Sequence, residues 1–463
     1  MNHNTDLIQK WESVLDDSNF LPIENHEKRY ALAQVLENTN MEVGRTMQAR
    51  GLKHKPANLI ESYQLNEASP TNVMGASSST AGAGPIDIYD PVLIGMLRRT
   101  MPNLMAYDFM GVQPMTGPSG TIFAMRGRYG DQSGSELFYT EANGSWTATA
   151  AGNSAHTSSN SEFIAQVGSD PSILATGNTT GYTFTQAFST AFAELLGKDT
   201  GNEFPEVGLT IDKVDVKARS RALKATYSVE LAQDMMAIHG LNAEQQITNY
   251  LTNEIMFEIN REMIRTVYVT ATGGAINCAA TGVFNMDIDA DGRWLGEKIL
   301  GLMLQLDFEA NQVAKSTRFG KANLMLCSSN VASALNAAKK LHYSPELAAK
   351  LQVDDTGQTF AGVLDTGMKV YIDPYHSSAD NTQFACVGYK GTTSAWDSGL
   401  FYCPYVPLQY MKAVDSKSFQ PAVAFKTRYG VVANPFATSA GDGVISVSNK
   451  NRYYRLFGIK NLL

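Results

Sequence analysis

Apolar residues recur every fourth position from Ile247 through Leu251, Ile255, Ile259 and Met263 to Val267, and no Pro or Gly interrupts them before Gly273. That recurrence keeps apolar side chains on one side of an α-helix, so the stretch predicts a helix with a single buried stripe. Asn242 is placed to cap its start, with Gln245 at the capping-box position. At the rise of an α-helix the element over 242–271 spans roughly 40 Å, long for a globular helix and suited to a structural spine. Glu258, Arg261, Glu262 and Arg265 lie on its other face. Their spacing predicts pairs along the helix worth a few tenths of a kcal/mol each, which mainly keep that face soluble.

The same reading places further elements along the chain. Residues 1–67 are polar and acidic with helical apolar spacing at Tyr30, Leu32, Val35 and Leu36, and from Ala68 to Pro85 the texture changes to Ser, Gly, Ala and Pro, a flexible junction. Ile86 to Met110 is strongly apolar, and Leu93, Met96, Leu97, Leu104 and Met105 predict a buried arm or short helix around Arg98 and Arg99. A turn at Gly117, Pro118 and Gly120 leads into Thr121–Arg128, where apolar and polar residues nearly alternate as in one leg of a β-hairpin. Between Gly130 and Gly208 the chain is rich in Gly, Ser, Thr, Asn and Ala, with one helix expected around Gln186 to Leu196. This is the composition of an insertion or extended surface loop. The returning leg is expected as a single strand over Leu209–Thr226, where Ile211, Val214 and Val216 alternate imperfectly among Lys213, Lys217, Arg219, Arg221 and Lys224. Beyond the spine, helices are expected over Arg293–Lys315 and Asn330–Leu341. Strands are expected over Asn323–Cys327, Met368–Ile372, Phe384–Tyr389 and from Leu400 to about Val432, making the whole α+β.

Composition narrows the function more than the fold. A chain of 463 residues that is 44% hydrophobic buries a full core and favours two to four compact units over one. Its net charge of -8 disfavours a protein that collects phosphate backbones. No apolar run reaches the length that spans a bilayer, and Met1 to Glu12 lacks the basic-then-apolar order of a signal peptide, so no membrane insertion and a cytoplasmic site of synthesis are expected. Cys278, Cys327, Cys386 and Cys403 are far apart with no C-x-x-C, and read as buried free thiols.

The candidate chemistry is thin. Asp287, Asp289, Asp291 and Gly292 match the first half of an EF-hand loop, but Lys298 stands at the twelfth position where a bidentate Glu is needed; a loop capping the next helix accounts for the same residues. The glycines around Gly117 and Gly120 are not followed by Lys-Ser/Thr or a helix, so they read as turn residues. His239, His342 and His376 show no metal-ligand spacing, no G-x-S-x-G elbow occurs, and Asp354-Asp355 is solvated loop charge. The Asn143 and Asn178 sequons lack a secretory route. Trp146, Tyr182 and Phe184 would be the platform of a carbohydrate-binding or hydrolase module, against the plainer reading of core aromatics. No catalytic, cofactor or metal site is expected. What remains is Leu65-Asn66-Glu67 followed by Ala68, placed where the acidic leader meets the flexible junction and a protease can hold the chain extended.

Three blocks resemble the mature major head protein of T-even phages and their marine relatives. They are Asp87-Ile-Tyr-Asp-Pro-Val together with the run from Gly111 to Arg128, then Lys217-Ala-Arg-Ser-Arg-Ala-Leu-Lys to Met235, and finally Tyr402-Cys-Pro-Tyr-Val-Pro-Leu to Phe425-Lys-Thr-Arg-Tyr-Gly430. The resemblance covers most of residues 86–436 and is weakest over 130–208, where the family often carries an insertion domain.

The resemblance implies the Hong Kong-97-type capsid fold. On that pattern 1–67 is a cleaved leader, 68–116 the N-terminal arm and 117–226 the extended loop with an insertion at about 130–208. Residues 227–315 form the peripheral domain with the spine at 242–271, 316–400 the axial domain, and 401–463 C-terminal strands returning to the peripheral domain. It also implies removal of the leader after Glu in a Leu-x-Glu context, which Leu65 and Glu67 fit, between Glu67 and Ala68, by a head-maturation protease. Expected partners are copies of the same chain in hexameric capsomers and between capsomers, a vertex protein, an internal scaffold, the portal, outer decoration proteins and, non-specifically, packaged DNA. The protein is expected in the virion after assembly in the host bacterial cytoplasm. The pentameric vertex protein of the same family is the near alternative.

Overall fold

A computed structural model of the chain describes residues 7–16, 23, 26–49, 104–137, 146–148, 188, 190–198, 203–290, 294–342, 360–373, 382–391, 397–414, 419–435 and 449–462. The chain forms two compact units, one of Phe123–Lys213 and one of Met1–Ile122 with Val214–Leu463. In chain order the first helices are α1 (Glu12–Leu15), α2 (His26–Ala49) and α3 (Ala106–Phe109), followed by β1 (Gly111–Val112) and β2 (Ser119–Tyr129). Next come α4 (Thr190–Ala193), β3 (Val207–Lys217), β4 (Arg219–Thr226) and α5 (Val229–Asp234), the last running into a π-helical turn at Met235–His239. The spine is α6 (Ala243–Thr270), followed by β5 (Ala271–Gly273), β6 (Val283–Asn285), α7 (Leu295–Thr317), β7 (Leu324–Ser328) and α8 (Ser329–Ala337). The remaining strands are β8 (Leu341–His342), β9 (Phe360–Leu364), β10 (Lys369–Asp373), β11 (Thr382–Gly388), β12 (Leu400–Val414), β13 (Pro421–Ala433) and β14 (Asn451–Lys460).

The spine forms where the stripe predicts it. Asn242 adopts an extended backbone and its side chain accepts from Glu244 N at 3.0 Å, one residue earlier than the expected capping box. Leu251, Ile255, Ile259, Met263 and Val267 are all buried, and Ile247 packs partly against the same core. Thr248, Thr252 and Asn260 are buried too, so the covered face is wider than the stripe. Asn260 has a partner for this: its Oδ1 accepts from Met105 N at 3.0 Å, fixing the start of α3 against the helix.

Two sheets flank the spine. The larger runs β5-β14-β11-β7-β10-β9-β8, with β6 also on β14, and the smaller runs β1-β12-β13-β4. Strand β7 shows how the larger sheet divides the interior: Leu324 and Leu326 face the core of the spine, α2 and α3, whereas Met325 and Cys327 face a second core closed by α7 and α8. A strand covered on both faces has no polar positions to alternate, which is why Leu-Met-Leu-Cys reads as a continuous apolar run. β12 behaves alike: Tyr402 joins the first core, and Phe401, Cys403 and Tyr405 join a third with Met115, Ile122, Val214 and Val216. Gly430 on β13 lies so close to β3 that a Cβ there would sit 2.5 Å from Val216 Cγ1.

The expected single strand over Leu209–Thr226 is two strands. β3 pairs with β2 alone, and after Ala218 the chain joins the smaller sheet as β4 on β13, in register from Arg219↔Tyr429 to Thr226↔Ala422. The change of partner explains the imperfect alternation, because each half faces a different environment. Of the helix expected around Gln186 to Leu196, Thr190–Ala193 is helical. The helix expected over Asn330–Leu341 ends at Ala337, where Lys339 turns with φ 55° and the chain enters β8.

Candidate assembly surfaces

The smaller unit carries a two-stranded ribbon of β2 and β3. Its strands run in opposite directions, since Gly130 N donates to Glu206 O at 2.9 Å while Arg126, further back on β2, pairs with Asp212, further on along β3. Both faces of the ribbon carry apolar residues, the buried one Ile122, Ala124, Val214 and Val216 together with Arg126. Arg126 is 3% exposed, held by Asp212 at 2.6 Å and by Glu136, and Arg128 donates to Thr210 Oγ1 and to Gly134 O. The opposite face is apolar too, and open: Phe123 is 56% and Ile211 64% exposed, with Met125, Val207 and Leu209 exposed beside them. A Cβ on Gly134 would fall 1.8 Å from Tyr129 O, so the turn behind the ribbon requires glycine. Burying ion pairs and exposing a row of large apolar side chains is unfavourable for an isolated subunit, and marks a face that another surface covers.

The charged face of the spine reaches partners on both sheets. Arg261 donates to both oxygens of Asp373 at 2.9 Å, and Tyr268 OH donates to the same carboxylate at 2.9 Å; Asp373, on β10, is only 2% exposed. Glu258 and Glu262 both take Arg221 of β4, at 2.9 and 2.7 Å, and Glu262 also accepts from Tyr429 OH of β13. These residues bolt the spine to both sheets. Burial first, and then the neighbouring Asp373, push the Tyr268 hydroxyl well above the usual phenol range, so it serves as a permanent donor.

A second buried carboxylate closes the other core. Glu309 on α7 is 0% exposed and accepts from Ala275 N at 2.7 Å, Gln305 Nε2 at 2.9 Å and Arg455 Nε at 2.5 Å. It lies on the apolar stripe of Leu302, Leu306, Ala310 and Val313, so an acid at a core-facing position was the available signal for it.

The expected cleavage residues Leu65, Glu67 and Ala68 lie outside the described residues, as do Asp291, Gly292, His376, Tyr182, Phe184, the Asn143 and Asn178 sequons and the Asp354-Asp355 pair. The aspartate loop is internally engaged: Asp289 accepts from Ala279 N at 2.9 Å and Asn285 N at 2.8 Å, and Asp287 pairs with Lys298 at 2.5 Å. The N-cap of α7 is Trp294, with no side-chain cap; of the two described aspartates, Asp289 closes its own turn and Asp287 reaches Lys298 in the first turn of the helix. Among the described residues no group of three His, Cys, Asp or Glu is placed to hold a metal ion, and no helix is long and apolar enough to cross a membrane. Trp146 packs on Tyr129 with ring centroids 5.1 Å apart, so that ring face is used inside the unit.

Of the four free thiols, Cys327, Cys386 and Cys403 are buried, whereas Cys278 is half-buried where burial of all four was expected. Burial pushes the first three up to about 12 and Cys278 up to about 11. Because the thiolate is the nucleophile, the native chain at pH 8 is expected to be alkylated by iodoacetamide slowly at Cys278 and not at the others until denatured. Peptide mass analysis checks this, and fast labelling of Cys327 or Cys386 in the folded chain would contradict it.

Exposed apolar residues are not confined to the ribbon. Met236, Ile238 and Leu241 stand out around the π-helical turn, and Leu300 and Leu304 along the outer face of α7. Several such faces on one chain, together with buried carboxylates committed to structural partners, point to a protein that works through its surfaces, as the building block of an assembly. The chain belongs to the family of the major capsid protein Gp23, whose model matches residues 86–459. It is 42% identical to the major capsid protein of Serratia phage KSP90, over 84% of this chain and 88% of that one. It is 32% identical to the major capsid protein of Enterobacteria phage T4, over 99% of each. The capsid vertex protein of the same phage is similar at 24%, over 54% of this chain and 58% of its own. The solved structure titled "The capsid of Myoviridae Phage XM1" aligns at TM-score 0.38 and 12% identity, over 77% of this chain and 91% of its own. The architecture of the described residues is α+β, with a long spine helix, a two-stranded ribbon and a mixed sheet.

Proposed function

We propose that the chain is the main shell subunit of a tailed-phage head, assembling as hexameric capsomers around an internal scaffold and enclosing packaged DNA that it contacts only non-specifically. The observation that carries the reading is the ribbon, whose exposed Phe123, Met125, Leu209 and Ile211 form an apolar strip that a neighbouring copy covers. Many repeats of such a contact give a shell that is stable kinetically without any catalysis. The vertex protein, the portal and outer decoration proteins are the other partners of this reading. Identity and coverage against the main capsid proteins exceed those against the vertex protein, which favours the main shell.

Residues 1–67 act in this reading as a leader facing the interior, cut between Glu67 and Ala68 by the head-maturation protease with Leu65 and Glu67 as recognition residues, after which the shell expands. The test is co-expression with the scaffold and protease of the same phage, followed by particle imaging and N-terminal mass analysis. Mature chains beginning at Ala68, in many hundreds of copies per particle, are expected, while Glu67→Ala should leave particles whose subunits still begin at Met1. Wild-type particles with Met1 intact would overturn the processing step, and copies numbering only tens per particle would assign the vertex role.

A further inference from the structure

The leader is partly built into the shell portion of the subunit. Trp11, Leu15, Leu32, Val35 and Leu36 are each at most 3% exposed and share one core with the arm helix α3, the spine and β12. Polar contacts fix the position of α2 along this groove. Asn38 Nδ2 donates to Met115 O at 2.7 Å and to Tyr405 O at 3.0 Å, supplying two buried carbonyls of the shell portion. Lys28 pairs with Asp108 at 3.3 Å and lies 5.8 Å above the ring of Tyr107. Glu27 stands 3.6 Å from Lys390, whose Nζ also donates to Tyr107 O.

Each contact suits a helix of defined chemistry: an apolar stripe, an acid and a base at its start, and an amide about three turns further on. Removing the helix would uncover apolar side chains, deprive Met115 O and Tyr405 O of a donor, and leave the largely buried Lys390 without Glu27. None of these contacts involves residues 50–103, within which the expected cut falls. Peptide-bond scission at Glu67 therefore leaves these contacts of residues 11–38 in place while it changes the connection of the leader. It turns an intramolecular contact into a bimolecular one, which weakens retention only as far as the leader concentration falls.

We propose that the groove formed by α3, β1 and β12 is a specific binding site for the leader helix His26–Ala49 as a separate peptide, so that departure of the leader, and not the cut itself, frees this part of the shell subunit. The proposal rests on the reading of residues 1–67 as a leader, yet its test does not use the natural cut. A foreign protease site is inserted between Glu67 and Ala68, the purified unassembled subunit is cleaved there, and the product is run on a sizing column at neutral pH. The leader is expected to co-elute with the 68–463 portion, and the combination Leu32→Asp with Asn38→Ala to raise its dissociation rate at least tenfold. Separation of the wild-type leader as fast as that of the double variant would overturn the proposal. Should the cleaved product precipitate, hydrogen exchange on the uncut subunit decides: protection of the amides of residues 31–38 that the double variant abolishes supports the groove, and fast exchange in the wild type refutes it. Failure of the natural processing step would appear separately, as particles whose subunits begin at Met1.

Discussion

Replacing Phe123 and Ile211 together by aspartate is expected to give a folded, monodisperse subunit that no longer builds shells. Both side chains are more than half exposed, so the substitutions remove little packing from the subunit, and the ion pairs of Arg126 behind the ribbon are untouched. Surface changes of this kind alter subunit stability by about 0.5 kcal/mol or less. On the proposed reading a neighbouring copy covers the same positions, where an unpaired carboxylate taken out of water costs several kcal/mol. The penalty recurs at every copy, so it multiplies through a closed assembly instead of being diluted. Circular dichroism and thermal melting should match wild type while sedimentation shows no particles, and Phe123→Leu with Ile211→Val should assemble. Normal particles from the double aspartate variant would remove the ribbon as the observation on which the shell reading stands.

How much of this could be read from the residues depended on which force placed each element. The spine was legible because one local signal, the recurrence from Ile247 to Val267, agrees with its tertiary role. Strand β7 and the strands around it were legible because burial on both faces leaves continuous apolar runs. The ribbon was legible as a pair of strands but not as a surface. Alternation fixes which residues share a face and is silent on which face is covered, and here the covered one carries Arg126 and Asp212. Glu258, Arg261 and Glu262 misled for a related reason: helical spacing predicts pairs along the helix, whereas their partners Arg221 and Asp373 arrive from strands distant in sequence. The short strands β5, β6 and β8 carry too few residues for any periodicity and are set by pairing with longer ones. The cleavage residues Leu65, Glu67 and Ala68 remain a reading of motif and texture, open to test by N-terminal mass.

Glu309→Ala is expected to be the most destabilising single change in the subunit, lowering its stability by roughly 3–5 kcal/mol, the range found when one partner of a buried ion pair is removed. Three donors lose their acceptor at once. Arg455 on β14 is left charged in a largely buried position, Gln305 loses its turn-to-turn contact along α7, and Ala275 N loses the carboxylate that holds the left-handed residue after β5, where φ is 51°. A Cβ on Gly274 beside it would stand 3.1 Å from Glu309 Oε2 and 3.3 Å from Phe457 Cδ1, so the turn packs closely on that carboxylate and on β14. The cost should be specific to the unpaired partner and not to the lost volume. Glu309→Leu combined with Arg455→Met, which removes both charges and refills the space, is therefore expected to recover most of the loss. Urea denaturation of the unassembled subunit measures both variants. If the double variant is no more stable than Glu309→Ala, the turn at Ala275 and not the ion pair dominates; a single variant within about 1 kcal/mol of wild type would show that the buried carboxylate is not what joins α7 to β14.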